Sequence, residues 1–178
     1  LGKGALYLTR SRSGRMLTLK EQTPMDRIIA KLRASRLGKD SNKVAAVAAY
    51  EDSHTDARVE EFCRTLSRHL GAGCEVTRQM WLLNELRAAP LRAIAAAEAA
   101  RADLIIISVH HAQDFPAEVK SWINSWLGLK GKRPIVLLGL FDPVYQGDST
   151  SLQAYLKGVS KRGKLECLVQ SAEMAAED

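Results

Sequence analysis

The amino-acid sequence predicts an alternating α/β domain, a five-stranded parallel sheet lying between two layers of helices. Three observations carry this. Residues 104–109 (LIIISV) and 134–140 (PIVLLGL) are almost unbroken apolar runs, whereas a strand covered on one face only would alternate. Strand-like and helix-like stretches alternate from residue 43 to about residue 170, in the order β-α-β-α-β-α-β-α-β. A polar loop holding adjacent histidines, His110 and His111, follows the central apolar strand and leads into a helix entered through Pro116.

Taken in order, residues 1–20 (LGKGALYLTRSRSGRMLTLK) carry scattered Gly, Ser and Arg with no period, and read as mobile. Residues 25–37 set Ile28, Ile29, Leu32 and Leu37 against Arg27, Lys31, Arg33 and Arg36, the pattern of a short amphipathic helix. It reads as a solvated helix resting loosely on the domain or on a second subunit. Contact with an anionic membrane or an acidic partner is the alternative.

The first domain strand spans 43–50 (KVAAVAAY), followed by Glu51, Asp52, Ser53, His54, Thr55 and Asp56. Val59, Phe62, Cys63, Leu66 and Leu70 then mark a helix that Gly71 and Gly73 close. Residues 75–81 (EVTRQMW) alternate and predict a more exposed edge strand. Residues 84–101 are alanine-rich and helical in composition, with Pro90 restarting the helix rather than sitting within a turn of it. After the central strand, Val119, Trp122, Ile123, Trp126 and Leu127 form one apolar helical stripe. The fourth strand, 134–140, leads to a polar loop at 141–150, beginning Phe141-Asp142. Ser151 or Thr150 caps the next helix. The last strand spans 164–169, and 171–178 form an acidic tail.

This gives three parts: a basic leader (1–42), the α/β domain (43–170) and the tail (171–178). Net charge is +6, but the leader holds ten Lys/Arg against three Asp/Glu, a balance of +7, and the remainder has a balance of −1. Nucleic-acid binding by the domain is therefore not expected, because a basic domain surface would be needed. Three cysteines without metal-ligand spacing fit a reducing compartment, and no apolar run is long enough to span a bilayer. The expectation is a cytoplasmic protein, with a homo-oligomer left open.

The run Ala102-Asp103-Leu104-Ile105-Ile106-Ile107, a polar loop, and then Phe115-Pro116-Ala117-Glu118-Val119-Lys120-Ser121-Trp122-Ile123 resembles the third strand and following helix of flavodoxins. It is more closely similar to the NADPH-dependent FMN reductase family, as are residues 132–138. The resemblance covers about 43–170 and implies the flavodoxin-like strand order 2-1-3-4-5, with FMN bound where the strands' carboxyl ends meet at the topological switch point. In such proteins Ser/Thr hydroxyls and helix N-terminal amides after the first strand hold the phosphate.

The corresponding loop here contains three carboxylates. One like-charge pair at about 4 Å costs roughly 4 kcal/mol at an effective dielectric of 20. Two further loops also depart from the family pattern, as His110, His111, Gln113 and Asp114 follow the third strand, and Phe141-Asp142-Pro143 the fourth. The expectation is a binding or interaction module with a degenerate flavin site and no cofactor, taking an unidentified small molecule or protein. An FMN-dependent NAD(P)H oxidoreductase with an altered phosphate loop is the alternative.

The candidate rim is Glu51, Asp52, Ser53, His54, Thr55, His110, His111, Gln113, Phe141 and Asp142. A weaker alternative is a metal held by His54, His110 and Asp142. Neighbouring residues leaving a strand point apart, so His110 and His111 are not expected to share an ion. No catalytic residue is assigned, since the nucleophile elbow, P-loop and dinucleotide fingerprint are absent.

Overall fold

The computed structural model describes residues 6–7, 20–21, 23–35, 42–110, 114–142 and 149–171. Five parallel strands make the sheet: β3 (Lys43–Tyr50), β4 (Glu75–Leu82), β5 (Leu104–Ser108), β6 (Val136–Phe141) and β7 (Glu166–Ser171). Their spatial order is β4-β3-β5-β6-β7, which is 2-1-3-4-5 by position in the domain. Every residue of β5 and β6 is buried, as strands covered on both faces must be.

The two faces separate by parity. Val47, Ala49, Ile105, Ile107 and Leu137 meet helices α3 (Ala89–Ala100), α4 (Ala117–Lys130) and α5 (Ser149–Gly163). Val44, Ala46, Ala48, Leu104, Ile106, Leu138 and Leu140 meet α1 (Pro24–Ser35) and α2 (Ser53–Leu70). Right-handed crossovers account for most of this distribution. The step from β3 to β4 runs one way across the sheet and the later steps run the other, so α2 is the one crossover helix on its face and the other three crossover helices lie opposite.

Helix α1 supplies the second cover for the α2 face. It packs against α2, β6 and β7, burying Met25, Ile28, Ile29 and Leu32 in the same cluster as the sheet residues. Arg27 Nη2 lies 2.7 Å from Glu166 Oε1 and fixes the helix to β7. Ile28, Ile29 and Leu32 of the stripe read from the sequence are therefore core, and their packing is not loose; Leu37 lies outside the described residues.

Two short strands within the leader, β1 (Leu6–Tyr7) and β2 (Lys20–Glu21), pair antiparallel, a contact with no signal in the sequence pattern. A short 3-10 helix at Leu83–Arg87 precedes α3, whose first turn holds Pro90. Gly71 ends α2 at φ +88, a backbone region that favours glycine, and its N–H donates to Ser67 O at 3.1 Å. Helix α5 begins at Ser149, ahead of the caps expected from the sequence.

Candidate functional site

The carboxyl ends of β3, β5 and β6 converge on one edge of the sheet. Tyr50 pairs with Ser108, and Ser108 with Leu140, so the segments that follow these residues are neighbours. Val109 N donates to Leu140 O at 3.1 Å and extends the β5–β6 pairing towards the rim. Ser108 Oγ donates to Thr55 O at 3.0 Å, tying β5 to the first turn of α2.

That first turn is closed by its own side chains. Asp52 is the N-cap of α2, and its Oδ1 accepts from His54 N at 3.0 Å and Thr55 N at 2.9 Å. Thr55 returns the contact: its Oγ1 accepts from Glu51 N and Asp52 N, both at 2.9 Å, and donates to Asp52 O at 3.0 Å. This is a reciprocal capping box. The amides and hydroxyl that would face a phosphate are thus already engaged, and the group they hold is itself an anion. The Thr55 amide, followed by His110, holds the Asp52 carboxyl down at about 2.

His110 connects the loops. Its Nε2 lies 2.8 Å from Asp52 Oδ2, and its Nδ1 lies 2.8 Å from Asp142 Oδ2. Its backbone N–H donates to Glu51 Oε2 at 3.2 Å. Ionised carboxylates only accept, so both contacts are satisfied together when the imidazole carries two protons. Partial burial opposes that charge, but the hydrogen bonds to Asp142 and Asp52, with their charges, outweigh it and raise the His110 pKa above 6.5. The His54 ring stacks on His110 with centroids 5.4 Å apart.

Beneath this pair, the Arg58 guanidinium donates to Asp142 Oδ1 and, through Nη1, to Val109 O at 3.4 Å. Burial of Asp142 favours its neutral form, yet the hydrogen bonds from His110 and Arg58 prevail and hold its pKa below 3.8. Asp52, His110, Asp142 and Arg58 therefore form one chain of alternating charge running inward from the surface.

Among the residues expected at the rim, the structure brings together Glu51, Asp52, His54, His110 and Asp142. Ser53 is the exposed first residue of α2. Thr55 is fully buried and Phe141 is only 5% exposed, packed in the core beneath the rim, so neither is open to a ligand. His111 and Gln113 lie outside the described residues. Arg58 was not expected, although it is the only Lys or Arg between positions 51 and 60. A lone cation beneath a carboxylate cluster was the signal available.

Among the described residues no group of three or more His, Cys, Asp or Glu is arranged to hold a metal ion. Both ring nitrogens of His110 are already committed to carboxylates. The phosphate end does not fit FMN, because its donors are occupied and negative charge surrounds them. The loop residues 111–113 and 143–148, where a flavin ring would be approached, lie outside the described residues.

No protein-family model and no curated protein matches the chain. Among solved structures it is similar to the two-electron reduced flavodoxin of Megasphaera elsdenii, with a TM-score of 0.50 and 12% identity, over 76% of this chain and 100% of that one. A short-chain flavodoxin associated with a non-canonical PDU bacterial microcompartment aligns with a TM-score of 0.46 and 12% identity, over 72% of this chain and 82% of that one. Smu.1420 from Streptococcus mutans UA159 gives 0.44 and 12%, over 72% and 88%. The five-stranded parallel sheet in the order 2-1-3-4-5, with helices on both faces, is the flavodoxin-like α/β fold.

Proposed function

We propose that this chain is a flavodoxin-like binding or interaction module in which the phosphate end of the flavin site is closed by the protein's own carboxylate. The observation that supports the reading is Asp52 Oδ1 accepting from both His54 N and Thr55 N. A phosphate dianion would have to displace a carboxylate held by two amides and by His110, with Glu51 and Asp142 close by.

What remains at the rim is a polar surface carrying both charges, suited to a small polar ligand or a partner protein. The alternative, an FMN-dependent NAD(P)H oxidoreductase, draws on the flavodoxin-like fold. Kinship with NADPH-dependent FMN reductases rests on residues 102–123 and 132–138 alone. Three free cysteines fit a reducing cytoplasmic setting, and burial pushes the Cys63 and Cys167 thiols up to about 11. No helix among the described residues is long and apolar enough to cross a membrane.

The test is titration of the purified chain with FMN, followed by quenching of flavin fluorescence. The expected result is no saturable quenching. A stoichiometric complex that survives gel filtration would overturn the reading and favour the oxidoreductase.

A further inference from the structure

A cleft lies at the other end of the sheet, away from His110. It is a groove of about 1130 Å³ between α2 and β4. The fold explains it. Helix α1 covers β6 and β7 and α2 covers the middle of the sheet, so β4 is left at an edge with none of its eight residues buried.

Four cations line the groove, Lys43, Arg64, Arg68 and Arg78, against two carboxylates, Glu60 and Glu75. The lining thus carries a local excess of positive charge. Glu61 holds Arg64 at 2.5 Å, whereas Arg78 approaches its carboxylate, Glu60, only to 3.7 Å. Charge-assisted hydrogen bonds close to about 2.7–2.9 Å, so Glu60 does not use the full capacity of Arg78.

The cations fall into two groups. Arg68, near the end of α2, and Lys43, at the start of β3, mark one end of the groove. Arg78 marks the other, three residues along β4 from Lys43's register partner Glu75, or about 10 Å away. Between the ends lie Cys63, which is buried, and Val76, which is half-buried.

We propose that this groove binds a small linear organic dianion, with an acidic group at each end and an apolar middle. Arg78 takes one acidic group and Arg68 takes the other. Arginine suits the role because its planar fork matches a carboxylate or phosphate bidentately. The site is independent of the His110 rim.

The probes are the α,ω-dicarboxylates succinate, adipate, suberate and sebacate, titrated into the intact chain and followed by calorimetry and by arginine side-chain NMR shifts. Affinity is expected to rise with chain length to a maximum at suberate or sebacate. Arg68→Gln and Arg78→Gln are each expected to weaken binding about tenfold, while Lys161→Gln, an exposed cation on α5, leaves it unchanged. Both arginines are exposed, so the variants are expected to keep the parent melting temperature. Three outcomes would overturn the proposal: no response to any probe, affinity indifferent to chain length, or binding that survives both substitutions. A response to hexaglutamate alone would assign the groove to an acidic peptide, and would also overturn it.

Discussion

Replacing Leu32 by Ala tests whether α1 belongs to the core. Leu32 is fully buried among Val44, Leu104, Leu138 and the other residues of the α2 face. Truncating a buried leucine removes its transfer free energy and leaves a cavity, together about 2–5 kcal/mol. For a chain of this size each kcal/mol moves the thermal midpoint by about 2–4 °C, so a fall of roughly 4–20 °C is expected. Urea unfolding measures the free energy and a thermal scan the midpoint, each followed by far-UV circular dichroism and tryptophan fluorescence. Lys31→Ala is the control, since its side chain is 57% exposed and only 3.8 Å from Glu166, and its effect is expected to stay within about 1 kcal/mol. A loss below about 0.5 kcal/mol for Leu32→Ala would mean that the helix rests on the sheet without contributing to it.

Two further outcomes follow from the rim and from β6. Because His110 titrates higher when folded, its contribution is full below 6.5 and is lost as pH rises through the folded value; Asp52, held at about 2, contributes above 3.8 and loses that contribution between about 4 and 2. NMR titration of the His110 ring is expected to give a value above 6.5 that falls in Asp142→Asn, and a value at or below 6.5 in the parent would refute the clamp. Gly139→Ala is expected to destabilise by about 1–3 kcal/mol in urea unfolding, because the new Cβ would lie 2.9 Å from Phe141 Cε2 and 3.1 Å from Leu156 Cδ1; an unchanged midpoint would show that these side chains yield freely.

The strands were legible because periodicity and β-branched runs report burial directly. Residues 43–50, read as the first domain strand, coincide with Lys43–Tyr50. The meeting of the loops after Tyr50 and Ser108 followed from strand order, which places the two segments side by side. Side-chain commitments within that meeting were not legible. Whether Thr55 faces a ligand or satisfies its own backbone is decided by one side-chain rotamer in a helix's first turn, and no spacing rule records it. Phe141 belonged to a strand that ends one residue later than the apolar run suggested, and so faces the core. Arg58 escaped notice because its partner Asp142 lies 84 positions away. The docking of α1 was hidden for the same reason, since its stripe is visible in sequence but its seat on β6 and β7 is not.

That seat has a consequence for biosynthesis. Helix α1 leaves the ribosome early, but the strands it covers are made late, and the Arg27–Glu166 tie spans 139 positions. Twelve residues are too few to hold a helix in water unaided, so the part of its apolar face that meets β6 and β7 stays open until those strands are made. Closure of this face is therefore a late, long-range event, and the interval before it is when the chain is open to chaperones and to aggregation.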